Sequence, residues 1–315
     1  MAKERFLSNN HNLPQWLLDA IEGIQSQYDP GEETDFSVTK LLKPPQIRYL
    51  EKQYPDDLVE DPSDNLDSSL GTAWHDSVER FLKDKPKYIV ERRYYIVILV
   101  DGVDYIISAQ IDLFDRNTRS LSDHKVTSVY KIKDGSSYDW EFQLNFQRFL
   151  MENPDSWWRD ENNNRIQNDP KRINSLYING FARDWRKGES GRYPDYPPIK
   201  FKEVRIPIWE DETLMEEVRK KVRDHVRADK GIVRPCTPEE RWQSPSKWAL
   251  MKKGRKSAVK LYDNEDEAVQ EAEKDAKMYV EYRPGVNRRC EKYCPVGGES
   301  GICPQWELLK EKDND

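Results

Sequence analysis

IISAQIDLFDRNTRSLSDHKV, residues 106–126, is two short apolar strands joined by a polar turn. The first strand, IISAQIDLF, carries Asp112 near its end; DRNTRS turns the chain; LSDHKV carries Asp123 and Lys125. Alternation along a strand sets Asp123 and Lys125 on one face and His124 on the other. A hairpin can therefore bring Asp112, Asp123 and Lys125 together at one end of a sheet. Two carboxylates there suit a hard divalent cation such as Mg²⁺, which prefers oxygen ligands and keeps several waters. A neighbouring lysine can polarise an attacking water or steady a developing negative charge.

Working upstream, residues 88–91 and 94–100 are rich in strand formers, Asp101-Gly102 is a strong hairpin signal, and residues 105–114 return. Glu91 lies on the first of these strands, and its role is left open. SSLGTAWHDSVERFL predicts a helix capped by Ser68 or Ser69, with Ala73, Trp74, Val78, Phe81 and Leu82 as its apolar side. His75 and Glu79, four apart, share one face of it. Earlier still, LPQWLLDAIEGIQ reads as a short helix and DFSVTKLLKPPQIRYLEKQY as two helices broken at Pro44-Pro45. Residues 51–67, with seven acidic side chains against one lysine, read as a solvated loop.

Downstream of Lys125 a polar connection leads to DWEFQLNFQRFLM. This is a helix with Phe142, Phe146, Phe149 and Leu150 on its apolar stripe and Gln143 and Gln147 on its other side. ENPDSWWRDENNNRIQNDP reads as an exposed loop. RINSLYINGFARDWRK and IKFKEVRIPIW each read as a strand, and DETLMEEVRKKVRDHVRA as a helix with Asp211 as N-cap. Residues 171–205 hold nine Lys/Arg against four Asp/Glu, an excess that reads either as a rim for a phosphate backbone or as ordinary surface.

Taken in order, these elements resemble a known family. Asp112 followed by Asp123-His124-Lys125 resembles the PD-(D/E)XK nuclease signature. GTAWHDSVE resembles the Gly-x-x-x-His-x-x-x-Glu helix of its RecB-like branch, which includes CRISPR-associated exonucleases. The resemblance covers roughly residues 36–230. It implies a restriction-endonuclease-like α/β core, a central mixed sheet flanked by helices, and a metal-dependent deoxyribonuclease. Mg²⁺ or Mn²⁺ would be held by His75, Asp112, Asp123 and the main-chain carbonyl of His124, with Lys125 orienting or deprotonating water. The family's Gln-x-x-x-Tyr element is matched by Gln143, which would position the strand, while Gln147 stands where the tyrosine would be. An amide can bond phosphate but cannot stack on a base. The implied partner is DNA, at ends or as single strands, with exonuclease action in recombination, repair or processing beside recombination or replication proteins. The alternative is an inactive nuclease fold acting as a nucleic-acid-binding or assembly module.

Composition agrees with a folded chain. Of 315 residues 36% are hydrophobic and 35% charged, yet ten Trp and sixteen Tyr provide core material. No apolar stretch suits a membrane span and no signal peptide opens the sequence, so the expectation is a cytoplasmic protein of a bacterial or phage-infected cell. Net charge is −7, so any attraction to nucleic acid must be local.

The expected division is a helical region at 1–70, the nuclease core at 71–232 and a four-cysteine α+β extension at 233–315. In the extension, KWALMKKGRKSAVKLY reads as a hairpin turning at Lys253-Gly254-Arg255, NEDEAVQEAEKDAK as a helix and MYVEYRP as a strand. This ββαβ unit separates Cys236 from Cys290, Cys294 and Cys303. Residues 247–260 carry six basic side chains and no acidic one. Four thiolates satisfy either tetrahedral zinc or an iron–sulfur cluster, and unligated thiols remain a third reading. Several RecB-like nucleases carry a four-cysteine [4Fe-4S] staple, with one cysteine before the nuclease motifs and three near the C-terminus. Here no cysteine precedes Asp112, and Cys236 would supply the fourth ligand.

Overall fold

The structure, a computed structural model, describes residues 6–26 and 33–313. Among these, residues 7–43 and 60–227 form one compact unit, and residues 44–59 and 228–313 form another.

The first unit is built on a mixed sheet. Its strands run in the order Phe201–Ile206, Ser175–Ala182, Ser120–Thr127, Val103–Asp115, Tyr88–Val100, Trp157–Arg159 and Arg165–Gln167, with Phe36–Ser37 also added to Val103–Asp115. Ser120–Thr127 pairs parallel with Ser175–Ala182, and the other neighbours along that order are antiparallel. The long hairpin forms because Asp101 and Gly102 accept φ of 50° and 82°, the positive pair a two-residue hairpin turn demands. Outward from that turn Ile96, Ile98 and Val100 are buried while Val97 and Leu99 are exposed, the alternation of a strand with one wet face. The second hairpin closes where Asp115 Oδ1 accepts the Asn117 amide and Arg119 takes a positive φ.

Helices flank this sheet. Phe142, Leu144, Phe146 and Leu150 of the helix Tyr138–Glu152 are completely buried, as are Leu214, Val218 and Val222 of the helix Asp211–Asp229. Full burial of each such side chain is worth ~1.5–3 kcal/mol, so these two helices carry much of the adhesion to the sheet.

Several expectations are corrected. The Asn-rich segment after residue 152 is not a plain loop, because Trp157–Arg159 and Arg165–Gln167 extend the sheet and Trp157 stacks on Tyr95. The connection after Lys125 contains the short helix Val129–Lys133, capped by Ser128. Asp211 does not cap its helix but is its first residue, and its carboxylate receives Arg148. Asp61, in the acidic stretch, is buried and accepts bonds from the amides of Asn10 and Ser63 and the Ser8 hydroxyl.

The helix around His75 spans Leu66–Leu82, starting ahead of Ser68 and Ser69, whose hydroxyls donate back to the Asn65 carbonyl. No residue of it is fully buried, and Phe81, expected on the apolar side, is exposed. It is held at its edges instead, by Trp74 against Phe181 and by His75 against the sheet.

The second unit contains two strands, a helix and a third strand in that order. A three-stranded antiparallel sheet, ordered Lys260–Tyr262, Lys247–Lys252, Met278–Arg283, packs Leu250 and Tyr262 with Ala268 of the helix Glu265–Ala272, which Asn264 caps. A separate apolar cluster gathers Cys236, Cys290 and Cys303 with Ile47, Leu50, Val296 and Trp306, and Cys294 packs against it. None of the four cysteines is in a disulfide. No helix among the described residues is long and apolar enough to cross a membrane.

Candidate metal centre

Hairpin register builds the site. Val90 pairs with Leu113 and Arg92 with Ile111, which sets Glu91 across from Asp112. Glu91 itself takes φ 45°, a left-handed conformation that costs a non-glycine residue about 1–2 kcal/mol. Such strain tends to persist where function fixes it. The helix Leu66–Leu82 brings His75 to the same place. Its Nδ1 lies 2.9 Å from Glu91 Oε1 and 3.7 Å from Asp112 Oδ2, and its Nε2 lies 3.3 Å from the His124 carbonyl. Gln110 Nε2 donates to the other Glu91 oxygen at 2.6 Å, and the His124 amide donates to Asp112 Oδ2 at 2.7 Å. One donor atom each from His75, Glu91 and Asp112 fall within 4.8 Å of one another.

Asp123 and Lys125 form the adjoining half. Lys125 Nζ lies 2.6 Å from Asp123 Oδ2, close enough for an ion pair though off the direction of a good hydrogen bond. Gln143 Nε2 donates to Asp123 Oδ1 at 2.7 Å. Both Asp123 oxygens are thus engaged; Asp123, which the sequence reading grouped with His75, Asp112 and the His124 carbonyl, is not among the three residues whose donors converge. The His124 side chain turns away from the carboxylates and meets Asn179.

Gln143 and Gln147 part company. Gln143 faces Asp123 and a cleft of about 440 Å³, which His75, Glu79, Glu91, Arg93 and Asp112 also line. Gln147 is fully buried and donates to the Gln110 carbonyl at 2.7 Å, so it supports the strand that carries Asp112 and is no part of a solvent-facing row.

The electrostatics follow from crowding carboxylates in a partly dry place. Burial, then the Asp123 charge, pushes the Asp112 carboxyl well above its ordinary range, against the pull of His75 and Lys125. Burial alone would lower His75, but the bond to Glu91 and the charges of Asp112, Glu91 and Asp123 raise it to about 9. Burial would likewise lower Lys125, and Asp123 and Asp112 raise it. Burial and the His75 charge take His124 down to about 4. Without a bound cation, protonated His75 and Lys125 therefore supply the positive charge that these carboxylates require. Both nitrogens of the charged imidazole then donate, Nδ1 to Glu91 and Nε2 to the His124 carbonyl.

Glu91 is the residue the sequence left without a role, although the signal was present. A two-residue turn at Asp101-Gly102 fixes the register, and counting outward from it reaches Glu91 and Asp112 together. Oxygen donors with one imidazole are the chemistry of a hard divalent cation site, and the donor set fits Mg²⁺ or Mn²⁺.

In the second unit burial, followed by neighbouring charges, raises Cys236 to about 12 and Cys290 to about 11. Gln46 approaches both sides of this group: its Oε1 accepts the Cys236 amide at 2.8 Å and its Nε2 lies 3.7 Å from Cys303 Sγ. No three of the four sulfurs lie within 4.8 Å of one another.

No family model matches the chain, and no curated protein does. Four solved chains match, among them the crystal structure of SSO0001, 18% identical with a TM-score of 0.42 over 66% of this chain and 83% of that one. A likeness at that level carries no conclusion about chemistry.

Proposed function

We propose that this chain is a metal-dependent deoxyribonuclease with a restriction-endonuclease-like core of the RecB-like kind. The observation that carries the reading is the convergence of His75, Glu91 and Asp112 beside the Asp123–Lys125 pair. His75, Glu91 and Asp112 would hold Mg²⁺ or Mn²⁺, with the His124 carbonyl beside them. A divalent cation supplies a nucleophile at neutral pH and offsets charge on a phosphoryl oxygen.

The chain's own groups do the rest. Asp123 fixes the Lys125 ammonium and keeps it charged, so that it can donate to the attacking water or to a non-bridging phosphate oxygen. Gln143 holds Asp123 from the other side and offers its amide to the cleft. Gln110 holds Glu91, and Glu91 fixes the imidazole of His75 through Nδ1. By analogy with RecB-like nucleases, action on ends or single strands is taken over sequence-specific cutting.

The same reading places a metal group at the cysteines. A single tetrahedral zinc, with Zn–S bonds of about 2.3 Å, needs sulfurs about 3.8 Å apart. An iron–sulfur cluster, with Cys236, Cys290, Cys294 and Cys303 as ligands, is the group that the family resemblance suggests. Anaerobic purification should then give iron, acid-labile sulfide and a brown colour, all lost in Cys290→Ser; stoichiometric zinc without iron would contradict this.

The nuclease reading is tested by incubating end-labelled linear DNA and closed circular DNA with Mg²⁺, Mn²⁺ or EDTA. Loss of the linear species alone, blocked by EDTA, is expected. Cutting of circles would replace the exonuclease reading with an endonuclease. Absence of metal-dependent cleavage from a folded protein would favour the inactive binding module.

A further inference from the structure

An exposed aromatic cluster stands in the second unit, built from residues the nuclease reading does not use. Trp242 is 45% exposed and Tyr293 is 66% exposed, and their rings meet at 5.5 Å with 57° between planes. The Arg289 guanidinium lies 4.9 Å from the Trp242 ring centre. Contiguous exposed aromatics rimmed by polar groups mark interaction surfaces.

The cluster is held rigidly. Trp242 takes φ 52°, a conformation that is an outlier for so bulky a residue. Its loop is fastened on both sides: the Trp242 amide donates to the Glu239 carbonyl, the Gln243 amide to the Pro238 carbonyl, and Gln243 bridges to Asn287. Arg241 Nε donates to Asn287 Oδ1 at 2.9 Å and Arg289 Nη1 to the Glu240 carbonyl at 3.2 Å. Tyr293 ends the short helix Arg288–Lys292, its amide on the Arg289 carbonyl. A platform fixed before binding loses little entropy when a ligand arrives.

The surrounding charge selects the ligand. Residues 283–293 carry Arg283, Arg288, Arg289 and Lys292 against Glu291, and the Trp242 loop adds Arg241 against Glu239 and Glu240; Glu240 is held by Arg234, while Arg288 and Lys292 are exposed. Open aromatic faces interleaved with cations are how proteins take single-stranded nucleic acid, bases on the rings and phosphates on the cations. A duplex cannot use such faces, because its bases are already stacked on one another.

We propose that Trp242, Tyr293 and Arg289, flanked by Arg288 and Lys292, form a stacking platform for unpaired bases of single-stranded DNA. The choice of DNA over RNA rests on the nuclease reading; the platform itself does not.

The test uses the full chain in EDTA, where no cleavage interferes, and fluorescence anisotropy of labelled oligothymidylate and of a blunt duplex of the same length. Tyr293→Ala and Trp242→Ala should each weaken oligothymidylate binding roughly 5- to 150-fold, the equivalent of one stacked base. Tyr293→Phe should bind as wild type, because the ring remains. Lys292→Glu should weaken binding and flatten its salt dependence. Tyr293 is on the surface, so its truncation leaves the core intact, and a matching thermal melt verifies that. Unchanged binding in both Tyr293→Ala and Trp242→Ala would overturn the platform even if cleavage proves metal-dependent. Equal affinity for the duplex, or no binding of oligothymidylate by wild type, would overturn it as well.

Discussion

Lys125→Met should destabilise the first unit as well as silence its chemistry. The Asp123 side chain is 1% exposed, and its two oxygens rest on Gln143 at 2.7 Å and Lys125 at 2.6 Å. Removing the ammonium leaves a buried carboxylate with one neutral hydrogen bond. Breaking a fully buried pair costs about 3–5 kcal/mol. Lys125 is 30% exposed, so water entering beside it recovers part of that, and about 2 kcal/mol is the reasoned cost. For a unit of this size that corresponds to a fall in Tm of about 4–8 °C. Calorimetry on wild type, Lys125→Met, Asp123→Asn and the double variant measures it. The double variant should melt above Lys125→Met, because a neutral amide no longer needs the ammonium. Strict additivity, or a Lys125→Met protein as stable as wild type, would refute the assignment of Lys125 as the ion-pair partner of buried Asp123.

Three other outcomes follow from the geometry. Glu91→Gln should weaken Mn²⁺ binding by at least about 10-fold, as read by titration calorimetry, through loss of one carboxylate from the three-donor set. The Asp61 carboxyl is held well below its ordinary range by the Asn10 amide first and then Ser63 and Ser8. Its contribution is therefore complete above the unfolded value near ~4 and is lost as pH falls. The stability gap between wild type and Asp61→Asn should accordingly narrow on acidification in urea titrations. Gly285→Ala would put a Cβ 1.8 Å from the Ser244 carbonyl oxygen, a backbone clash that cannot be relieved by a rotamer. It should cost about 3 kcal/mol, seen as a lower unfolding temperature of the second unit.

Much of the site was legible because hairpin arithmetic is simple. Asp101-Gly102 announced its turn, DRNTRS announced the next, and alternation put Asp123 and Lys125 on one side. The same arithmetic would have put Glu91 opposite Asp112, but one strand pair must be counted as a unit before that appears. Other features depend on what packs against what. Gln143 and Gln147 look equivalent on a helical wheel, yet one meets Asp123 and the other disappears beneath Gln110, because the helix Tyr138–Glu152 is covered on more than its apolar stripe. Trp157 and Trp158 sit in an Asn-rich segment whose composition says loop, and only the open edge beside Tyr95 makes a strand of it. The helix carrying His75 shows the reverse: its apolar pattern promised a buried face, while contact with Phe181 and the site holds it by its margins. The cysteines were legible as a group, but their common cluster with Gln46 joins residues nearly the length of the chain apart, which no local pattern reports.

The most direct measurement of the central claim is cleavage of an end-labelled single strand by wild type and Asp112→Ala, purified identically and given saturating Mn²⁺. Asp112 is buried and contacts both His75 and the His124 amide, so its loss should abolish cleavage while oligothymidylate binding persists. Equal digestion by the two proteins would assign any activity to a contaminant and remove His75, Glu91 and Asp112 as a catalytic metal centre.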